Sequence, residues 1–257
     1  MLELSHVSVR RGQRKVVDGL SLCLSGPQFV AVLGENGAGK STLLRAIAGD
    51  LPFSGDISLQ GCSLRHWSAA RLARMRAVME QQFSPPAQMS VLEMVTLGRY
   101  GHDECDKEAR LHAQKWLGYT HLSEYAHREV ASLSGGEQQR VQLARCLAQL
   151  DGDSGGQKLL LLDEPTSALD LYHQHACLQL VRAFTEAGHL VIAVMHDVNL
   201  ASLYADQILL LKNGKRIIQG PPQQVLQPDT LKSAYQINSH ITPHPILTVP
   251  MVFSMPG

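Results

Sequence analysis

The stretch Gly34 to Thr42 reads GENGAGKST and follows the apolar run Phe29-Val30-Ala31-Val32-Leu33. Its spacing, G-x-x-x-x-G-K-[ST], falls on Gly34, Gly39, Lys40 and Ser41. Gly34, Gly37 and Gly39 carry no Cβ, so the backbone can curl and turn its N–H groups inward. Those N–H groups and the start of a following helix form a positive cradle for phosphate oxygens. Lys40 adds a point charge near the β- and γ-phosphates, and Ser41 offers a hydroxyl to Mg²⁺. Glu35, Asn36, Ala38 and Thr42 complete the loop and are read with it as nucleotide-binding. Alone, this motif says only nucleoside triphosphate, and it fits kinases, GTPases and many ATPases.

A second glycine-rich turn, LSGGEQQR from Leu133 to Arg140, narrows the choice. Ser134 three residues before Glu137 is a capping box, so a helix starts there, with Val141, Ala144 and Ala148 facing inward. Ser134, Gly135, Gly136 and Glu137 then form a second anion-binding helix start. One site rarely needs two such cradles from one chain. Two copies arranged head to tail would place one copy's Ser134–Gly136 against the γ-phosphate held by the other.

The elements that must position these residues alternate. LLLLDEP (Leu159 to Pro165) and LVIAVMHD (Leu190 to Asp197) read as buried strands, and an amphipathic helix with Leu43, Leu44, Ile47 and Ala48 on one face follows the first loop. QILLLKNGKRIIQG reads as a hairpin turning at Asn213-Gly214. Residues 1–30 read as short strands around a basic turn, Arg10 to Lys15, with another short strand over Asp56–Gln60. Residues 68–122 read as helical and polar. Such alternation predicts an α/β fold with a mostly parallel sheet covered on both faces. DGDSGG, Asp151 to Gly156, is expected as a mobile surface loop and a tolerated insertion. The final stretch, with Pro243, Pro245, Pro250 and Pro256, is expected to be irregular.

The chain has 257 residues, with 23 Lys plus Arg against 23 Asp plus Glu, so its formal net charge is zero. That balance argues against nucleic acid as the main partner. Five scattered cysteines without a CxxC read as reduced thiols in a cytosolic protein. Met1 to Arg14 has no apolar leader segment, and no apolar run approaches the roughly 20 residues of a membrane helix.

These motifs, taken in order, resemble the ATP-binding-cassette ATPases over nearly the whole chain. The resemblance rests on the phosphate loop at 34–42, a Q-loop glutamine at Gln81, the signature at 133–137, Asp163 and Glu164 of LLLLDEP, SALD at 167–170 ending in Asp170, and His196. It implies a P-loop, RecA-like core with an antiparallel β portion and an inserted helical subdomain. The expected divisions are a core over about 1–81 and 151–240, helices over about 82–150 and a tail over 241–257. It also implies an ATP-sandwich homodimer. In that resemblance Asp163 reaches Mg²⁺ with Ser41 and Gln81, and Glu164 is the general base that polarises the attacking water. His196 contacts the γ-phosphate and orients that water, and Asp170 joins the nucleotide set. Gln82 is an adjacent decoy for Gln81. The family's usual adenine-stacking aromatic is replaced here by Arg11, whose guanidinium plane can also stack on a base.

MSVLEMVTLGRYGH (Met89 to His102) is similar to importers of iron chelates, haem and vitamin B12, with Arg99 and His102 on the shared pattern and Gly101 where proline is commoner. In such importers the segment from about Gln81 to His102 forms part of a groove for a permease coupling helix. The tail, with GPPQQVLQPDTLKSAYQI, looks most like haem-importer ATPases. The resemblance therefore implies a peripheral subunit on the cytoplasmic face of the cell membrane, served indirectly by a periplasmic or extracellular binding protein. A cobalamin or ferric-siderophore importer, or an ATP-driven clamp on a soluble partner, are the alternatives. His173 and His175 form an HxH pair, but two residues along a helix splay about 200° apart. That pair and the cluster His102-Asp103-Glu104-Cys105 are read as solvated surface, not metal ligands.

Overall fold

The computed structural model describes residues 1–81, 83–152 and 155–255. Gln82, Asp153, Ser154 and Pro256, all named above, lie outside the described residues. In chain order the strands and helices are β1 (Leu2–Arg11), β2 (Arg14–Leu24), β3 (Gln28–Leu33), α1 (Lys40–Ile47), β4 (Ser54–Leu59), β5 (Cys62–Ser63), α2 (Ala69–Met75), β6 (Arg76–Met79), α3 (Val91–Thr96), α4 (Asp106–Tyr119), α5 (Gly135–Leu150), β7 (Leu159–Asp163), α6 (Leu171–Glu186), β8 (Leu190–Val194), α7 (Val198–Tyr204), β9 (Gln207–Lys212), β10 (Lys215–Gly220), α8 (Pro222–Val225), α9 (Pro228–Tyr235), β11 (Asn238–Pro243) and β12 (Pro250–Met255). They fall into two compact units, Met1–His66 with the chain from Leu190 onward, and Trp67–His189.

In the first unit β3 is flanked on both sides by parallel neighbours, β8 and β9, and β10 closes antiparallel on β9. The phosphate-loop strand is buried throughout Phe29–Leu33, as are Val191–Val194 and Ile208–Leu211. Continuous apolar strands of this kind belong to parallel sheets covered on both faces. The β9–β10 turn has Asn213 at φ 50° and Gly214 at φ 75°, the two left-handed residues of a tight hairpin. A separate antiparallel sheet runs in the order β2, β1, β4, β5.

Several sequence expectations change. β1 and β2 are long strands, ten and eleven residues, and the turn between them is only Gly12-Gln13. Leu2, Leu4, Val7 and Val9 are buried among exposed neighbours, and the register shifts along β1–β2 let this alternation persist past His6. In helix α1 the expected apolar set Leu43, Leu44, Ile47 and Ala48 is buried, and Lys40, Thr42 and Ala46 are buried with it. The Pro-rich tail is an ordered antiparallel hairpin, β11 on β12. Its prolines are tolerated because Pro243 and Pro250 face each other at the strand ends, where a missing N–H costs least. Asn199 fixes the hairpin to α7 by exchanging bonds with Val252, at 3.1 Å to its carbonyl and 2.8 Å from its N–H.

In the second unit β6 pairs in parallel with β7. The span read as helical and polar, broken only at Pro85-Pro86, thus contains a strand of 4 residues, too short for periodicity to reveal. Helices α3, α4 and α5 pack around Val91, Val95, Ala113, Leu117, Val141 and Ala144, with Ala148 at the far end. The inward set expected for the signature helix is in this core.

Candidate active site

The phosphate loop leaves β3 at Gly34 and enters α1 at Lys40. Gly34 has φ 147°, Gly37 φ 80° and Gly39 φ 99°, all awkward or forbidden for a side chain. A Cβ on Gly34 would land on the backbone oxygen of Leu211, and one on Gly39 would lie 2.6 Å from the Val16 carbonyl. The loop is pinned from outside as well: the Gly214 N–H donates to Ala38 O at 2.9 Å, and the Asp18 N–H donates to Gly214 O at 3.0 Å. Lys40 is only 6% exposed, and its ammonium donates to Gly34 O at 2.7 Å and Glu35 O at 3.0 Å. The charge is thereby held inside the curl of its own loop. Gly34→Ala is expected to cost about 1–3 kcal/mol, because the left-handed strain comes with a backbone clash. Thermal melting with and without ATP checks this. An unchanged melting temperature and ATP shift would show that the loop tolerates a different Gly34 conformation.

His196 and the loop share one edge of the first unit. β3 and β8 are parallel neighbours, so the loop after Leu33 and the exposed His196 after Val194 both leave from carboxyl ends of adjacent strands. That edge is where open α/β sheets take ligands. Asp197 beside it caps α7, its Oδ1 accepting from Asn199 N at 2.7 Å and Leu200 N at 2.9 Å. Arg11 is exposed at the end of β1, in register with Arg14.

In the second unit Asp163 ends β7 and is 6% exposed. Glu164 follows in the left-handed region, φ 55°, which is uncommon for a residue with a side chain. Such outliers cluster at functional sites and cost of order 1–3 kcal/mol. The Glu164 carbonyl accepts from Gln139 Nε2 at 2.7 Å, Ser167 Oγ at 3.1 Å and Ser167 N at 3.3 Å. Gln81 is exposed, two residues past β6. The signature turn carries the expected capping box: Ser134 Oγ accepts from Glu137 N at 3.4 Å, and the Ser134 N–H donates to Glu137 Oε2 at 2.8 Å. The Ser134 hydroxyl and backbone bonds hold the Glu137 carboxyl below its usual range. Gly135 and Gly136 open the helix, and a Cβ on Gly136 would sit 2.8 Å from Ala168 O. Asp170 caps α6, its Oδ1 accepting from the His173 N–H at 2.8 Å and from His173 Nδ1 at 2.9 Å.

The LGRYGH segment has a structural job the sequence did not reveal. Arg99, 4% exposed, donates from Nε to Glu104 Oε1 at 2.6 Å and from Nη2 to Glu104 Oε2 at 2.8 Å. Its Nη1 donates to Ala148 O and Asp151 O, each at 2.6 Å. His102 Nε2 donates to Gln149 O at 2.8 Å, and Lys158 Nζ donates to Leu150 O and Gly152 O. The last carbonyls of the signature helix are thus capped by basic side chains, which also suits its dipole. The 102–105 cluster is therefore not simply solvated: the Arg99 bond to Glu104 holds that carboxyl below its usual range, and burial lowers His102.

Asp151 corrects the reading of DGDSGG as a bare insertion. Its Oδ2 accepts from Lys115 Nζ at 2.8 Å, His112 Nδ1 at 2.9 Å and Trp116 Nε1 at 3.0 Å. Burial pushes this carboxyl up, but those donors outweigh it and bring it to about 2. Beside the Arg99–Glu104 pair lies a cavity of ≈ 350 Å³ lined by Glu93, Leu97, Arg99, Tyr100, His102 and Glu104 among others. Tyr100 is 92% exposed and Leu97 48%, an apolar lip on an otherwise charged groove.

Two contributors escaped the sequence reading. The Gly34 N–H donates to the Tyr235 hydroxyl at 2.8 Å, so the last residue of α9 fixes the first residue of the phosphate loop. Burial pushes that phenol up to about 12. Gln139 holds the Glu164 turn. Both lie inside stretches quoted above, LSGGEQQR and the tail, yet nothing in their residue type assigns them a role, and only their three-dimensional neighbours do.

The profile of the ABC transporter family matches residues 17–167. The chain is 48% identical over 256 residues to the hemin import ATP-binding protein HmuV of Idiomarina loihiensis, covering 100% of this chain and 99% of that one. It is 42% identical to the protein of the same name from Pseudomonas entomophila, covering 99% and 100%. Among solved structures, a metal-chelate type ABC transporter in an inward-facing conformation is 27% identical, with a TM-score of 0.82 over 99% of this chain and 96% of that one. An ATP-binding cassette solved as a dimer in a post-hydrolysis state with ADP and phosphate is 26% identical, with a TM-score of 0.78 over 86% and 98%. The glycine-curled loop, the capped signature helix and these full-length similarities converge: the chain belongs to the ABC transporter family, as an ATP-binding subunit.

Proposed function

We propose that this chain is the ATPase subunit of a haem importer. The observation that carries the cargo is the 48% identity, over essentially both whole chains, to a protein named for hemin import. The chemistry rests on the residues above. Lys40 and the N–H groups of Gly37–Thr42 hold the β- and γ-phosphates, and Arg11 stacks on the base. Glu164 polarises the attacking water, and His196 contacts the γ-phosphate. Ser134, Gly135, Gly136 and Glu137 of one copy, with Asp170, complete the nucleotide site of the other.

The donor set suits Mg²⁺. Ser41, Gln81 and Asp163 offer hard oxygens, and among the described residues no group of three or more His, Cys, Asp or Glu side chains could hold a metal. Few protein ligands supplemented by phosphate oxygens are what Mg²⁺ prefers. Bound there, the ion would neutralise phosphate charge, while catalysis by the chain itself is positioning and electrostatics.

The groove at Leu97, Tyr100 and Glu104 receives the coupling helix of a permease dimer, on the cytoplasmic face of the membrane. Among the described residues no helix is long and apolar enough to cross a membrane. An extracytoplasmic binding protein delivers the cargo. The metal-chelate transporter neighbour favours a second reading, a ferric-siderophore or cobalamin importer.

Proteoliposomes holding the chain with its copurifying permease should take up haem on ATP addition, with siderophore and cobalamin offered separately through their binding proteins. Uptake of another cargo instead would keep the motor and replace haem. Failure of any permease to copurify would favour a clamp on a soluble partner.

A further inference from the structure

We infer that Gln139 is a positioning residue for Glu164: its carboxamide clamps both ends of the turn Glu164–Ala168 and ties the signature helix to the base of the same chain. This rests on the proposed role of Glu164.

The geometry is specific to a carboxamide. Gln139 Nε2 donates to Glu164 O at 2.7 Å, while Gln139 Oε1 accepts from the Ala168 N–H at 3.2 Å. A carbonyl can only accept and an N–H can only donate, so the two contacts also fix which way the amide faces. A third contact, Nε2 to Ser167 Oγ at 3.4 Å, reaches the middle of the same turn. One planar group thus serves as donor at the first residue and acceptor at the last.

What it clamps is a backbone that would rather relax. Glu164 sits at φ 55°, and its carbonyl direction is coupled to where its side chain points. Losing the amide frees the Glu164 carbonyl to turn about ψ, held then only by the longer Ser167 bonds, and a turn that shifts there swings the carboxylate away from its working position. Misplacement of a catalytic group by about 1 Å can cost about 10²-fold in rate. The helix start offers no substitute for the amide: Gly136 lies against Ala168 O so closely that a Cβ would be 2.8 Å from it, so no side chain fits at that position.

Gln139 also lies on the helix whose first turn is the signature. It stands five residues after Ser134, about 7.5 Å along the axis at 1.5 Å per residue. The helix start that faces the partner's nucleotide and the clamp on the chain's own base are therefore parts of one rigid element.

The test is Gln139→Leu in the full chain, which keeps the volume and removes both bonds. The turnover number should fall about 10- to 100-fold. The KM for ATP, ATP-driven dimerisation and the melting temperature should stay close to those of the parent. Gln139→Glu keeps an acceptor for Ala168 N–H but loses the donor to Glu164 O, so turnover should fall with it. Ser167→Ala, a milder change at the same carbonyl, should lower turnover less, and its effect should not add fully to that of Gln139→Leu. If Gln139→Leu does not fold, Gln139→Glu and Ser167→Ala decide. Turnover within about twofold of wild type while Glu164→Gln is inactive would overturn the clamp alone. A parallel fall in turnover, ATP affinity and melting temperature would reduce Gln139 to a fold role and overturn it too. Wild-type turnover in Glu164→Gln would remove the base assignment, and this inference with it.

Discussion

Glu164→Gln is expected to bind ATP as the wild type does and to lose turnover by about 10²–10⁴-fold, the usual contribution of a general base. That is roughly 3–5 kcal/mol of barrier, since each tenfold is about 1.4 kcal/mol. The substitution is well placed to isolate chemistry. Glutamine has nearly the shape of glutamate, and bonds from Gln139 and Ser167 hold position 164 at its backbone carbonyl. The side-chain swap leaves those bonds intact and removes the carboxylate's proton-accepting charge. Steady-state ATPase rates and equilibrium nucleotide binding, measured on the same preparation, check it. Lys40→Ala gives the opposite signature, weakened binding, because its ammonium is the charge held in the loop. A Glu164→Gln protein with full turnover would move the base elsewhere.

Arg99→Met is expected to cost about 3 kcal/mol of stability. The thioether chain fills the guanidinium's space without its donors. Glu104, with a side chain 14% exposed, then holds a carboxylate without its bidentate partner, and Ala148 O and Asp151 O lose the donor that capped them. For a chain of this size each kcal/mol moves the melting temperature by roughly 2–4 °C, so a fall of roughly 6–12 °C should be seen. Arg99→Lys retains the charge but not the fork, and should recover only part of it. A melting temperature unchanged in Arg99→Met would mean that His102 and Lys158 cap the helix adequately without it.

The legible parts of this fold are those where one residue type is obligatory. Gly34, Gly37 and Gly39 could be read because side chains rarely adopt their positive φ and because Gly34 and Gly39 have no room for a Cβ, and Asn213-Gly214 because both positions need positive φ. Ser134 and Glu137 were legible as a reciprocal cap. The buried parallel strands announced themselves as continuous apolar runs. β6 hid because four residues of strand carry no usable period. The β11–β12 hairpin hid behind its prolines, which mark loops in most contexts but here occupy strand ends. Arg99 was noticed for its resemblance, yet its partners at 148 and 151 lie some fifty residues away, and only packing brings them together. Gln139 and Tyr235 are ordinary helix residues by type, and their importance comes from backbone atoms they reach, which no side-chain pattern encodes.

The bond from Trp116 to Asp151 has an optical consequence. The chain has two tryptophans, and both Trp67 and Trp116 belong to the unit Trp67–His189, the one carrying the signature helix. Trp116 donates to a carboxylate at the end of that helix and lies 5.1 Å from the Lys115 ammonium, and Trp67 lies under the Arg71 guanidinium at 4.8 Å. The phosphate loop's unit contains tyrosine but no indole. Excitation at the red edge of the absorption band therefore lights one unit only, and the unmodified protein carries its own emission reporter for the end of the signature helix.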